Sequence, residues 1–201
     1  IKDYKLFIPE VSYPEANSKD FLKDIDSVRF YFKNPCLTDN FLNLSDKSVE
    51  DCFKEFCIDA GVELDWKHIN QVLKDVDTII LKMKYQHKRP RPRFYLESES
   101  EIFQNIKKNK SYSFPSGHTT MAYFVAGILS DAYPNLKPDF VTMAELIGQS
   151  RIDNGVHFPS DVSAGKLIGQ TLSNLYTNNQ KEDIRNLKLE KKDSKNFGKF
   201  L

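Results

Sequence analysis

An all-α fold is predicted, on three observations. Apolar residues recur at three- and four-residue spacing in one segment after another, period-two alternation is nearly absent, and the prolines gather where elements would end. The chain has 201 residues, 29 Lys+Arg against 28 Asp+Glu and 40% apolar side chains, with a mean hydropathy of -0.52. That mixture excludes disorder and collagen-like repeats. A chain of this length can bury roughly 70% of its unfolded surface, so neither a metal nor a disulfide staple is required. No repeat or linker divides it. One helical domain is expected over residues 1–180, followed by a polar tail over 181–201 with too few apolar anchors to pack.

The elements follow in order. Ser18 to Phe32 sets Phe21, Ile25, Val28 and Tyr31 on one helical face. A second helix is expected to start at the cap-like Ser45 or Asp46 and to carry Val49, Phe53 and Phe56; a third runs from Asp65 to Lys84 with Trp66, Ile69, Val72, Leu73, Val76, Ile79 and Ile80 facing inward. After a proline-broken basic loop, Lys88 to Arg93, the pattern predicts a short helix over Glu97 to Lys108. The next starts near Ser116 and stops before Pro134, with Met121 to Leu129 as its core stretch, and another covers Asp139 to Arg151. The last begins at Ser160 or Asp161 and carries Val162, Ala164, Leu167, Ile168, Leu172 and Leu175. The longest uncharged stretch, Ser111 to Ser130, holds Pro115, Gly117, His118, Thr119 and Thr120 in its first half, so it is read as the start of a buried helix and not as a membrane span. Three cysteines, Cys36, Cys52 and Cys57, are an odd number, and helical phase separates the last two; plain buried thiols are expected.

A net charge of +1 gives no whole-molecule field toward nucleic acid or an anionic membrane. The charge is clustered instead. Lys82 to Arg93 holds six Lys/Arg in twelve residues, with His87, Pro90 and Pro92. Alone, this is a solvated basic loop or a weak polyanion patch; with aromatics limited to Tyr85 and Phe94, no nucleic-acid partner is expected. Pro115-Ser116-Gly117-His118 stands directly before an apolar helix. Backbone N–H groups and the dipole there favour an oxyanion; glycine lets the backbone come close, and Ser116 and His118 add polar groups within one turn. The third fragment is Ser150-Arg151, then His157 and Asp161. A carboxylate four residues after a histidine can hold one ring nitrogen and leave the other free to attack, while the Arg151 fork suits two phosphate oxygens. Each also has an ordinary reading: His157 as a hydrogen-bonded loop histidine, Asp161 as a helix cap, Arg151 as a surface cation.

In this order, Lys and Arg-Pro, then Pro-Ser-Gly-His, then Ser-Arg, His and Asp, the fragments resemble the signature of the phosphatidic acid phosphatase type 2 superfamily, whose members include bacterial class A nonspecific acid phosphatases, lipid phosphate phosphatases and vanadium-dependent haloperoxidases. The second and third fragments match without departure. The first matches in two registers, Lys82 with Arg89-Pro90 and Lys84 with Arg91-Pro92; relatives with a tandem Arg-Pro align on the second pair, which selects Lys84 and Arg91. The resemblance covers Lys84 to Asp161, under half the chain. It implies a helical bundle with the active site between central helices. It further implies His157 as nucleophile, Asp161 as its orienter and His118 as general acid, with Lys84, Arg91, Ser116, Gly117 and Arg151 binding the phosphate. No metal and no other cofactor is implied. The expected partner is a small phosphomonoester substrate; oligomeric state stays open, a homo-oligomer included. The class A type is favoured, with vanadate inhibition and a bell-shaped profile centred at mildly acidic pH. A vanadate-dependent haloperoxidase and a non-catalytic phosphate-binding domain are the alternatives. Read as a mature form whose signal peptide has been removed, the chain would be periplasmic or secreted.

Overall fold

The Ser18 hydroxyl accepts the Phe21 amide at 3.1 Å and so starts α1, Lys19–Lys33. The structure is a computed structural model that describes residues 8–197, with side chains over 8–179. Thr38 caps α2, Asp39–Lys47, and Ser48 caps α3, Val49–Asp59. Asp65 caps α4, Trp66–His87, which ends on Lys88 in the left-handed region at φ 53°. A short α5, Pro92–Leu96, and a 3-10 turn, Glu101–Asn105, precede α6, Gly117–Ala132. A second 3-10 turn, Pro134–Leu136, leads to α7, Lys137–Asp153, and α8 spans Pro159–Phe197. No strand occurs among the described residues, as the all-α prediction requires.

Two expectations are corrected. The second helix does not begin at Ser45 or Asp46: those residues lie inside α2, which the sequence reading missed, and Ser48 is the cap that restarts the chain as α3. The stretch Glu97–Lys108 is not one helix. Arg93 donates to the carbonyls of Gln104 and Ile106, and this guanidinium holds the segment as a 3-10 turn with Phe103 and Ile106 buried. Cys52 and Cys57 are buried free thiols, whereas Cys36 is exposed. Burial raises Cys52 to about 11, and it raises Cys57 as well. The polar tail lies outside the described residues in its side chains and at 198–201; over 181–197 the α8 backbone simply continues.

The central helix is α6, whose buried positions extend right around its circumference. It packs with α3, α4, α7 and α8 in the larger core, while α1, α5 and the α7–α8 turn enclose a second one around Phe21, Ile25, Phe103 and Phe158. Small residues bring α6 and α8 backbone to backbone. A Cβ at Gly165 would lie 2.8 Å from the Ser116 carbonyl oxygen, and one at Gly169 would lie 2.4 Å from that of Thr120. Neither carbonyl can yield without parting the helices. Gly169→Ala is therefore expected to cost about 3 kcal/mol by overpacking, read as a lower urea midpoint; an unchanged midpoint would contradict this contact.

Candidate active site

The turn between α7 and α8 brings the side chains at 151 and 157 to one place. Gly155 adopts φ +66°, a conformation L side chains rarely take, and a Cβ there would meet Ile106 and Phe32 at 3.0 Å. The chain then folds back, so that the amides of Val156 and His157 both donate to the Arg151 carbonyl, at 3.1 and 3.2 Å. Arg151 and His157 thus line one cavity of about 190 Å³ together with Lys84, Arg91, Gly117 and His118.

His157 is buried, and its two ring nitrogens have different partners. Nδ1 lies 3.2 Å from Asp161 Oδ2, and Nε2 lies 3.0 Å from an Arg91 terminal nitrogen. A guanidinium has only donors, so Nε2 accepts and Nδ1 carries the hydrogen toward Asp161. That is the neutral tautomer, with its Nε2 lone pair on Arg91, itself a residue of the cavity wall. Asp161 is wholly buried and accepts four bonds: from His157, from the Phe158 amide at 3.0 Å, from Ser113 Oγ at 2.5 Å and from Arg89 at 2.6 Å. Asp161 is the third residue of α8, and its carboxylate reaches back to the Phe158 amide while also holding the His157 ring.

Of the two basic registers, Lys84 and Arg91 face the cavity. Arg89 is buried behind it, bound to Asp161, to Asp24 at 2.9 Å and to Ser160 Oγ at 2.7 Å, with its guanidinium carbon 4.0 Å from the Phe158 ring centroid; Lys82 is exposed. Lys84 donates all three ammonium hydrogens to carbonyls, those of Tyr112, Ser113 and Pro115, at 2.8, 3.1 and 2.7 Å. It clasps the segment leading into α6 and contributes its charge to the cavity wall. Arg91 spans Ser111 and Val156 besides His157. Arg151 is held by Asp46 at 2.9 Å, Ser45 Oγ at 3.2 Å and Ser150 Oγ at 3.1 Å.

Gly117 lines the cavity, and a Cβ there would sit 3.4 Å from Ile80, an ordinary contact. The missing side chain leaves room for a ligand and relieves no packing clash. Ser116 is placed differently from the sequence expectation. Its hydroxyl caps α6 through the Thr119 amide and hydroxyl, at 3.4 and 2.8 Å, its amide donates to the Asp161 carbonyl at 3.0 Å, and it is absent from the cavity wall. His118 faces the cavity, with its pKa lowered to about 4 by burial and then by Arg151, against an upward pull from Asp46. Burial, then Arg91, Lys84 and Arg151, hold His157 well below the usual range. Burial and Arg91 bring Lys84 down to about 7. Cations packed this closely out of water are mutually costly until an anion enters.

Sequence reasoning missed Asp24, Asp46 and Ser113. Asp24 had a signal, since it sits three residues after Phe21 on the apolar face of α1, where an unpaired charge would not be tolerated. In the sequence Asp46 reads only as a helix cap. It pairs with Arg151 and, at 2.6 Å, with Lys107, and so ties α2 to the site.

A family model described as the PAP2 superfamily matches residues 70–185. Over 139 residues the chain is 31% identical to the non-specific acid phosphatase of Salmonella typhi, covering 62% of this chain and 54% of that protein. It is 29% identical over 136 residues to the acid phosphatase of Zymomonas mobilis, covering 62% and 50%. Over 63 residues it is 42% identical to a lipid A 1-phosphatase of Rhizobium johnstonii, covering 30% and 25%. The chain thus spans about half the length of the acid phosphatases it matches. Among solved structures it is similar to a transmembrane PAP2-type phosphatidylglycerolphosphate phosphatase from Bacillus subtilis, with a TM-score of 0.57 and 21% identity over 83% of this chain and 89% of that one, a likeness of fold. Among the described residues no helix is long and apolar enough to cross a membrane.

Proposed function

The chain belongs to the PAP2 superfamily, and from that membership we propose that it hydrolyses phosphomonoesters without a metal ion, through a phosphohistidine formed on His157. The observation that carries the reading is His157, with Nδ1 held toward Asp161 and Nε2 accepting from Arg91, in the wall of one cavity with Arg91, Arg151, Lys84, Gly117 and His118. Nε2 attacks phosphorus and the bond to the ester oxygen breaks. His118 gives its proton to the departing alkoxide, Asp161 keeps Nδ1–H in place, and the guanidinium groups with the Gly117 amide balance charge growing on the equatorial oxygens. Water, deprotonated by His118, then attacks the phosphohistidine, releasing phosphate and neutral His157. Arg91 exchanges its bond to Nε2 for a phosphate oxygen as substrate enters. Lys84 acts through charge and by its clasp on the segment before α6, and Ser116 by fixing the start of that helix. A periplasmic or secreted location belongs to the same reading, supported by similarity to bacterial acid phosphatases.

The pH dependence follows from the lowered histidines. Catalysis needs His157 neutral, a condition met above its depressed value, and His118 protonated, a condition lost before binding as pH rises through about 4. A bound dianion raises His118, so kcat should persist to higher pH than kcat/KM, with both declining toward neutrality. The test is p-nitrophenyl phosphate hydrolysis across pH, with EDTA throughout and vanadate as inhibitor. Abolition by the chelator, or kcat/KM that climbs steadily to about pH 9, would overturn the reading.

A further inference from the structure

We propose that the alcohol half of the substrate lies in the groove between the start of α3 and the outer face of α4, and that this groove selects esters of uncharged, amphipathic, aryl-sized alcohols. This rests on the phosphohistidine reading. The cavity at His157 is about 190 Å³, below the roughly 300–1,000 Å³ of small-molecule sites, so it accommodates the phosphoryl group and little more. A groove of about 690 Å³ adjoins it. The two share Asp77, His118 and Met121, whereas His157 lines only the smaller one.

That partition fixes the direction of the substrate. In an in-line displacement the leaving oxygen departs on the side opposite the attacking Nε2 and must reach its acid. The proposed acid, His118, is one of the three residues common to both spaces, so whatever is bonded to that oxygen continues past His118 and Met121 into the groove. There the partly buried Met121 and the edges of the core residues Val49 and Leu73 form the apolar part of the wall, and Asn70 and Thr78 add an amide and a hydroxyl. Lys47 and Lys74 are balanced by Glu50 and Asp77, so no net charge draws an ionic body inward. Asp77 stands at the junction itself, so a second phosphate on the leaving group would meet a carboxylate there. The groove therefore disfavours pyrophosphate and favours a neutral aromatic alcohol.

Thr78→Trp fills the groove from an exposed position whose hydroxyl bonds only the Lys74 carbonyl, at 2.9 Å. The ratio of kcat/KM for naphthyl phosphate over methyl phosphate is expected to fall about tenfold in this variant. Asp77→Lys, also exposed, is expected to raise the ratio for pyrophosphate over naphthyl phosphate by about tenfold. Ratios unmoved in both variants, or a wild-type preference for pyrophosphate over naphthyl phosphate, would overturn the groove assignment while leaving the phosphatase reading intact. A wild-type protein that hydrolyses no ester and binds no vanadate would instead overturn the phosphatase reading, and the groove with it.

Discussion

The His157→Ala protein is expected to lose turnover by at least about ten-thousandfold, while its melting temperature stays within about 4 °C of wild type. The two outcomes separate because Asp161 has other partners. Removing the imidazole takes away the proposed nucleophile, yet the carboxylate beneath it keeps Arg89, Ser113 Oγ and the Phe158 amide. No buried charge is orphaned, and the hole opens onto a polar cavity that water can enter. Turnover and thermal melts check the pair. An alkaline quench of a reaction with labelled substrate should trap phosphoryl-protein in wild type and none in the variant. Activity above about 1% of wild type would point to a different nucleophile.

Arg89→Met is expected to cost stability more than any change in the cup, about 3–5 kcal/mol, or roughly 10 °C or more in melting temperature. Arg89 exposes only 2% of its side chain and bridges two carboxylates that are themselves nearly inaccessible, Asp24 on α1 and Asp161 on α8. Methionine fills the volume but leaves both carboxylates, and the Ser160 hydroxyl that also binds Asp24, without their cation. Arg89→Lys keeps the charge and loses the fork, and should fall between the two. If Asp161 is set by Arg89, the kcat of folded Arg89→Lys at low temperature drops as well, with KM little moved. A melt within 3 °C of wild type for Arg89→Met would show that the bridge contributes little.

The site was legible in the sequence to the extent that it consists of local strings. Pro115 to His118 and His157 to Asp161 each combine a helix start with polar groups inside one turn, so spacing predicts their proximity, although the Ser116 hydroxyl turns to Thr119 and not to the cavity. Lys84 and Arg91 became legible through the resemblance, which chose between registers that composition leaves equal. What stayed hidden is what closes over long separations: Asp24 on Arg89, Asp46 on Arg151, and Arg93 turning 101–105 into 3-10 geometry. Helix α2 was hidden for a local reason. Phe41, Leu42 and Leu44 are its few large apolar residues over little more than two turns, and Ser48 closes one helix while opening the next.

The glycine seam between α6 and α8 has a consequence for how the catalyst could be diversified. His118, the proposed acid, sits on one of these rods and Asp161, the proposed orienter of His157, on the other, and their main chains already touch at Gly165 and Gly169. Such a hinge-free frame can neither spread for a bulkier guest nor tolerate recutting. Directed evolution of this scaffold should therefore randomise the opposite bank, the first turn of α3 and the solvent side of α4, and leave the seam alone.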